Sequence, residues 1–318
     1  MLKKGLVLVL MLFGLGLAAC GPAADTPASS LTPTEVRETE LPADTPTPAP
    51  PTASPVPSAT PTPSLTPTVI YPPEPRTVEF EARDGQVLHG TYYPSSQSPA
   101  PVIVLMHWAR GDQTEWTAVA RWLQNRGAEG SSPAGGEDWL NPEWFPELPQ
   151  ELAPAVFTFT FRSCEDSCSD FPAADWLLDA RAAMDTASRL EGVDPDRVLA
   201  AGASIGADGA VDGCYWMNAA QEGTCLGAFA LSPGSYLTVS YEDAAHELLK
   251  DQPARALWCL HTKRDKAALN SCRSVSGGEV VDFGPRDLHG LELINADLEP
   301  SALDHLIQFI ESSLAIGQ

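Results

Sequence analysis

The hydrophobic pattern of the chain changes at Thr77, and from there it predicts regular secondary structure. The stretch "TVEFEARDGQVLHGTYY" (77–93) alternates apolar and polar residues on both sides of Asp84 and Gly85, which predicts a β-hairpin. It is followed by "PVIVLMH" (101–107), a continuous apolar run typical of a strand buried on both faces. The domain is therefore expected to open with an antiparallel pair and an internal strand.

Apolar runs and helical periodicity then alternate along the rest of the chain. Further strands are predicted at "AVFTFT", "DRVLAAG", "GAFALS", "ALWCLH" and "EVVDF". Apolar residues at helical spacing predict helices from Trp116 to a stop at Gly127, from Trp176 to Leu190, after Gly206, and from Leu303 to Leu314. This alternation predicts an α/β fold whose mostly parallel, doubly wound sheet is covered by helices on both faces.

The first twenty residues, "MLKKGLVLVLMLFGLGLAAC", have the layout of a secretory signal: two lysines, an apolar run and small residues before Cys20. The apolar run is shorter than the roughly 20 residues that a membrane-spanning helix needs. Its end, Leu17 to Cys20, resembles the lipobox of bacterial lipoproteins. That resemblance implies that residues 1–19 are removed and that Cys20 carries lipid, whereas the alternative is an ordinary signal with an incidental cysteine.

Residues 20–75 differ in composition from everything that follows. Stretches such as "PTASPVPSATPTPSLTPT" are rich in Pro, Thr, Ala and Ser and nearly free of large apolar side chains, so they bury too little to offset their ordering entropy. We interpret 20–75 as an extended stalk behind the lipid. Residues 76–318 are then long enough for one domain with a full core.

Charge excludes one class of partner. The chain has 19 basic and 42 acidic residues and a formal net charge of −23, so binding to nucleic acid, a polyanion, is not expected.

The cysteines predict disulfides rather than a metal centre. Six of the seven lie in the domain, and export would permit them to oxidise. Six cysteines allow fifteen pairings, of which we expect the one that joins sequence neighbours. A metal site at "CEDSC" is the rival interpretation, but no matching second half follows it. The expected pairs are Cys164 with Cys168, Cys214 with Cys225, and Cys259 with Cys272.

The most specific motif is "RVLAAGASIGADGA" (197–210). Ser204 stands where a dinucleotide-binding loop has its middle glycine, and the stretch lacks the lysine of a phosphate-binding P-loop, so both phosphate sites are disfavoured. What remains is Gly-x-Ser-x-Gly between a predicted strand and a predicted helix, with Gly202 and Gly206 on either side of the serine. This is the pattern of a nucleophile elbow, in which a sharp turn exposes the serine hydroxyl.

A serine nucleophile needs a base and a group that orients the base, and both are present downstream. Asp265 follows the strand "ALWCLH" and His289 follows "EVVDF", which is the Ser, Asp, His order of the α/β-hydrolases. From about Thr77 onward the chain resembles that family, of the dienelactone hydrolase or small esterase kind, most closely over "GVDPDRVLAAGASIGADGA". The resemblance implies that Ser204 is the nucleophile, His289 the general base and acid, and Asp265 the carboxylate that orients the imidazole.

Rivals for these roles remain open at this point. His261 is the alternative base, although it ends a strand and precedes the acid. His305 lies off the apolar stripe of the last helix and is expected at the surface. Asp287 is the second choice for the acid.

An oxyanion hole requires backbone N–H groups at the developing negative charge. One is expected from Ile205, directly after the nucleophile. The other is expected from "HWARG" (107–111), where Trp108 replaces the glycine usual in the family, so the donor is Trp108 or Ala109. The same substitution places an indole at the pocket wall. His107 is expected to support this loop structurally rather than to react.

The rim of the site is expected to carry Phe171, Tyr236 and Tyr241, beside Trp108, on loops that leave strand ends. Glu165, Asp166 and Asp170 would make part of it acidic. The insertion 129–154 runs from the end of a predicted helix to the start of a predicted strand, so it begins at the edge of the sheet opposite the site. It is therefore expected to pack on the domain or to bind a partner rather than to act as a lid.

Together these features predict an extracytoplasmic serine hydrolase, anchored by lipid to a bacterial membrane, that cleaves small-molecule carboxylic esters through an acyl-enzyme. No cofactor and no metal are required, since the triad supplies nucleophile, base and electrostatic stabilisation. Two alternatives remain: a serine peptidase with the same fold, and a tethered binding protein that has lost catalysis.

Overall fold

The computed structural model describes residues 73–125, 140, 142–149, 152–165, 168–221, 223–251 and 253–315. The predicted signal, Cys20, the stalk up to residue 72, Trp139 and Asp166 lie outside these residues. Among the helices that the structure describes, none combines the length and the apolar character needed to cross a membrane.

An eight-stranded sheet forms the centre of the described domain, in the order β1-β2-β4-β3-β5-β6-β7-β8. β1 and β2 pair antiparallel, β2 pairs antiparallel with β4, and the remaining neighbours are parallel. The fold is therefore the mostly parallel α/β sheet with an N-terminal antiparallel hairpin that the sequence predicts. The strands are β1 (Arg76–Glu81), β2 (Val87–Tyr93), β3 (Ala100–Met106), β4 (Ala155–Phe159), β5 (Val193–Ala203), β6 (Cys225–Leu231), β7 (Ala256–His261) and β8 (Glu279–Asp282).

Six α-helices in the described residues cover the sheet on both faces. Alternate residues of β3 point to opposite faces: Val104 and Met106 join the apolar cluster under α2, α3 and α4, and Ile103 and Leu105 join the cluster under α1 and α6. Both faces of β3 are buried, which explains its continuous apolar run. The helices are α1 (Thr117–Leu123), α2 (Ala173–Ser188), α3 (Ile205–Ala220), α4 (Tyr241–Leu249), α5 (Lys266–Ser274) and α6 (Ala302–Ala315).

One predicted helix boundary is wrong. The periodicity after Trp116 predicts a helix that stops at Gly127, but α1 ends at Leu123. Asn125 has a φ of 53°, in the left-handed region that asparagine tolerates better than most residues, and this conformation ends the helix earlier.

The three disulfides join the cysteine pairs that the sequence predicts, 164 with 168, 214 with 225 and 259 with 272. Because Cys164 and Cys168 are bonded to each other, "CEDSC" offers no thiolate pair to a metal. Within the described ranges no group of three or more His, Cys, Asp and Glu side chains could hold a metal ion.

The described part of the insertion packs on the domain. The Phe145 ring contacts the Trp122 ring of α1 edge-on, at 5.8 Å between centroids, and the Trp122 indole donates a hydrogen bond of 2.7 Å to the Pro146 carbonyl. These contacts favour the expected packing role for this part of the insertion.

Candidate active site

Ser204 occupies a strained turn between β5 and α3. Its φ of 54° and ψ of −114° reverse the chain within one residue, so that the strand ends at Ala203 and the helix begins at Ile205. A Cβ atom on Gly202 would lie 2.0 Å from the Gly206 carbonyl oxygen, and one on Gly206 would lie 2.2 Å from that of Met106. Both glycines are therefore required by close backbone approach, and the turn has the geometry of a nucleophile elbow.

The parallel topology brings the predicted triad side chains together at the carboxyl edge of the sheet. The Nε2 atom of His289 lies 2.9 Å from the Oγ atom of Ser204, and its Nδ1 atom lies 2.7 Å from the Oδ2 atom of Asp265. Asp265 begins α5, where its Oδ1 atom also accepts a hydrogen bond of 3.1 Å from the Ala268 N–H. The His289 N–H donates to the Glu292 carboxylate at 2.9 Å, which holds the backbone next to the imidazole.

The charge of Asp265 determines the imidazole tautomer. Burial raises the pKa of Asp265, but hydrogen bonds from His289 and from the Ala268 N–H outweigh burial and hold the pKa below its ordinary value. Asp265 is therefore ionised at neutral pH and accepts the Nδ1 proton of His289. The Nε2 atom is then free of a proton and can accept the one on Ser204.

Trp108 packs behind His289 and is 3% exposed, so its contact with a substrate at the pocket wall stays a prediction. The two rings stack with centroids 6.5 Å apart and an interplanar angle of 21°. A Cβ atom on Gly290, which has a φ of 60°, would lie 2.7 Å from the indole Cε3 atom. The Arg110 guanidinium covers the indole at 5.2 Å and pairs with Glu292 at 3.4 Å. The base is thus supported by its loop and by an aromatic face.

His107 is a structural histidine, as its position suggested. It is fully buried; its Nδ1 donates to the Trp108 carbonyl at 2.6 Å, and its Nε2 accepts from the Phe161 N–H at 3.0 Å. Burial lowers its pKa to about 4, so the ring is neutral at physiological pH. It ties the loop after β3 to the chain after β4.

The predicted oxyanion donors lie in the regions that such a site needs. Ile205 is the first residue of α3, so its N–H has no acceptor within the helix and adjoins the nucleophile. Trp108 and Ala109 follow the carboxyl end of β3, and the Ala109 carbonyl accepts a hydrogen bond of 3.2 Å from the Cys168 N–H. Donation by Ile205, Trp108 or Ala109 to a bound substrate remains a prediction.

The structure separates the three aromatic residues predicted at the rim. The Tyr236 ring stands perpendicular to the His289 ring, with centroids 6.3 Å apart, and lies near the Ser204 side chain. Tyr241 does not line the site: it is 1% exposed and lies in the apolar cluster at the start of α4. Phe171 is 71% exposed and contacts the Trp176 ring, and its role with substrate stays a prediction.

The rival histidines occupy other environments. His261 is buried at the end of β7, where its Nδ1 atom donates to the Thr262 carbonyl at 3.2 Å. His305 was expected at the surface, but it is half-buried between the rings of Trp258 and Phe283. Burial lowers the pKa of His305.

A cavity of about 390 Å³ borders the triad on the side of Asp265 and His289. Asp287, the second choice for the acid, lines this cavity, whereas Asp265 holds the imidazole. The other lining residues are Arg110, Arg264, Lys266, Leu288 and Glu292.

Two residues at the site were missed by the sequence analysis. Ser232, directly after β6, is buried near Asp265 and makes a small contribution to lowering the pKa of that carboxyl. Asp208, one helical turn after Ser204, is 2% exposed and binds the loop that carries Tyr236. The available signal for Asp208 was that it and Asp212 are the two acidic residues in the otherwise apolar first half of α3.

Known proteins resemble this chain in part. No protein-family model matches it. The uncharacterized protein YfhR of Escherichia coli strain K12 is 30% identical over 146 residues, which are 45% of this chain and 44% of that protein. The match therefore spans less than half the length of this curated relative.

Solved structures match over a larger part of the chain. EstE1, a thermophilic carboxylesterase cloned from a metagenomic library, superposes with a TM-score of 0.52 at 19% identity, covering 77% of this chain and 91% of EstE1. A Pyrobaculum calidifontis esterase superposes with a TM-score of 0.51 at 15% identity, covering 77% of this chain and 87% of the esterase. With the sheet order and the elbow, these similarities identify the architecture of this domain as the α/β-hydrolase fold.

Proposed function

We propose that this protein is a serine hydrolase that cleaves small carboxylic esters through an acyl-enzyme. The observation that carries the proposal is the continuous hydrogen-bonded path from Asp265 through His289 to Ser204, with distances of 2.7 and 2.9 Å. This path ends at the Ser204 hydroxyl, which lies on a strained turn at the carboxyl edge of the sheet. The structural likeness to esterases supports the substrate class.

The geometry supports a two-step reaction. His289 Nε2 takes the Ser204 proton as Oγ attacks the ester carbonyl, and the Ile205 N–H stabilises the oxyanion. The imidazolium then gives that proton to the departing alkoxide, which leaves an acyl group on Ser204. A water molecule, deprotonated by the same imidazole, hydrolyses the acyl-enzyme and restores the serine. Asp265 stays ionised throughout and stabilises the imidazolium.

The decisive experiment is to treat the full-length protein with a fluorophosphonate probe and to map the modified peptide by mass spectrometry. We expect an adduct on Ser204, hydrolysis of p-nitrophenyl acetate, and loss of both in Ser204→Ala with an unchanged melting temperature. A folded wild-type protein that gives neither adduct nor hydrolysis would overturn the proposal in favour of the binding protein. Faster cleavage of a matched peptide amide than of its ester would favour the peptidase.

We further propose that the enzyme is exported and attached to a bacterial membrane through lipid on Cys20, with residues 20–75 as its stalk. Acyl chains contribute about 0.8 kcal/mol per buried methylene, so a multiply acylated cysteine would anchor stably. Metabolic labelling with palmitate tests this: the wild type should incorporate label and sediment with membranes. Cys20→Ala should lose both properties, and label in that variant would contradict lipidation at Cys20.

A further inference from the structure

The loop that follows β6 reaches the triad with two side chains. Ser232, its first residue, lies near Asp265, and Tyr236 contacts the His289 ring and lies near Ser204. The Tyr236 ring lies directly against the backbone of Gly234, where an added Cβ atom would be 2.2 Å from Cζ and 2.5 Å from the hydroxyl oxygen. This glycine therefore allows the phenol to lie close against the loop backbone, beside the triad.

A buried carboxylate on the nucleophile helix holds this loop. Asp208 accepts a hydrogen bond of 3.1 Å from the Gly234 N–H through Oδ1 and a short one from the Tyr236 N–H through Oδ2. The backbone of Ser235 and Leu237 also helps to hold down the pKa of this carboxyl. Two N–H groups of a loop without regular structure thus converge on one side chain. Because Asp208 lies one turn after Ser204 on α3, the helix that presents the nucleophile also sets the position of Tyr236.

The placement of Asp208 is costly, which argues that it serves a purpose. Burial of a carboxylate disfavours its charged form, and here burial raises the pKa of Asp208 to about 7 although the loop N–H groups lower it. Burial also acts on the Tyr236 phenol. Burial and the nearby carboxylates raise its pKa to about 12, so the hydroxyl keeps its proton and remains a hydrogen-bond donor at neutral pH.

We infer that Tyr236 is a catalytic residue of the proposed hydrolysis, whose hydroxyl donates a hydrogen bond to the negatively charged tetrahedral intermediate on Ser204. Asp208 is a positioning residue that holds Tyr236 there. The inference rests on the proposed function. It gives the site a side-chain donor beside the Ile205 N–H, in a chain whose oxyanion loop carries Trp108 where the family has glycine.

Removal of the hydroxyl alone tests the catalytic role. Tyr236→Phe keeps the ring against Gly234, so KM for p-nitrophenyl acetate should stay within about twofold while kcat falls roughly 10²-fold, the effect of losing one oxyanion donor. Affinity for a boronic acid, which mimics the tetrahedral intermediate, should fall in parallel. Tyr215→Phe is the matched control, because Tyr215 lies near the far end of α3, and it should keep the wild-type kcat.

A double-variant comparison tests the positioning role. Asp208→Asn should lower kcat, and the double variant Asp208→Asn, Tyr236→Phe should be no slower than Tyr236→Phe alone, because Asp208 acts through the phenol. If the double variant instead has a kcat reduced by the product of the two single reductions, Asp208 does not act through Tyr236 and the positioning role is overturned. If Asp208→Asn does not fold, the comparison of Tyr236→Phe with Tyr215→Phe still decides the catalytic role.

These experiments distinguish a failure of the inference about Tyr236 from a failure of the proposed hydrolase function. An active wild type with unchanged kcat in Tyr236→Phe would overturn the inference and leave the proposed function intact. A folded wild type without hydrolysis or fluorophosphonate adduct would overturn both.

Discussion

The Oγ atom of Ser204 lies 2.9 Å from the Nε2 atom of His289, although 85 residues separate the two along the chain. The serine follows the fifth strand and the histidine follows the eighth, so only the parallel order of the sheet brings them to one edge. The distance is that of a hydrogen bond from the hydroxyl to an unprotonated imidazole nitrogen. Such a bond requires the imidazole proton to be on Nδ1.

Asp265→Asn should therefore abolish most activity without unfolding the protein. An amide at this position can donate to Nδ1 and favour the wrong tautomer, so we expect kcat to fall about 10³–10⁴-fold with little change in KM. Asp287→Asn, on the other side of the same cavity, should remain close to wild type. The reverse pattern of kcat values would assign the acid to Asp287.

The buried neutral His107 should make the fold sensitive to acid. Its pKa of about 4 in the folded protein lies below the ordinary value of 6.5, so the unfolded state binds more protons and stability falls as pH decreases through this window. Asp208, with a pKa raised to about 7 from 3.8, acts in the opposite direction.

A comparison with His107→Gln isolates the contribution of His107 protonation to the pH dependence of stability. Glutamine keeps one hydrogen-bond donor and one acceptor but does not change its charge with pH. Between pH 7.5 and 4.5, the free energy of unfolding of the wild type should fall relative to the variant by about 2–3 kcal/mol, measured in urea. Parallel pH profiles for the two proteins would show that His107 does not titrate on unfolding.

The buried ion pair between Arg162 and Asp179 should be a main determinant of stability. Asp179 is fully buried, and its Oδ1 atom lies 2.6 Å from the Nη2 atom of Arg162. The Nη1 atom of Arg162 lies 2.5 Å from the Oδ2 atom of Asp84 in the hairpin turn. Arg162→Met would leave Asp179 buried without its partner, which should cost about 3–5 kcal/mol of unfolding free energy. Lys250→Met removes an exposed pair with Glu247 and should cost less than about 1 kcal/mol. Equal costs in urea denaturation would contradict this account.

The disulfide between Cys214 and Cys225 should contribute to stability but not to catalysis. It closes a loop with a sequence separation of 11, for which the chain-entropy model gives about 3 kcal/mol. Replacing both cysteines by alanine should lower the free energy of unfolding by that order. It should leave kcat unchanged, because Cys214 lies about 15 Å along α3 from Ser204. A fall in kcat at a temperature where the variant is folded would argue that the disulfide orients the elbow.

The features that were predictable from sequence depend on nearby residues. The elbow at Ser204 is encoded by two glycines, because a Cβ atom at either position would collide with backbone atoms of the same turn or of the adjoining strand. The cysteine pairs are close in sequence, so joining them costs little loop entropy. The strands follow from apolar runs that are buried on both faces, as in β3.

The errors and omissions arise where distant segments pack together. Tyr241 and Tyr236 are both tyrosines of one predicted loop, but Ser240 caps α4 and Tyr241 turns into the core while Tyr236 remains at the triad. His305 lies on the polar side of its helix by periodicity, yet Trp258 and Phe283 cover it. Asp208 resembles a surface residue of a helix until the loop after β6 closes over it.

The sequence by itself therefore determined the strands, four of the six described helices, the elbow, the cysteine pairing and the candidates Ser204, Asp265 and His289, because periodicity, turn sterics and short loops act between neighbouring residues. The helices α4 and α5 were not predicted. Only the tertiary structure decided which candidates meet, which tautomer His289 adopts and what holds Tyr236 at the nucleophile. Those relationships depend on burial and on hydrogen bonds between segments far apart in the chain, and a linear pattern does not contain them.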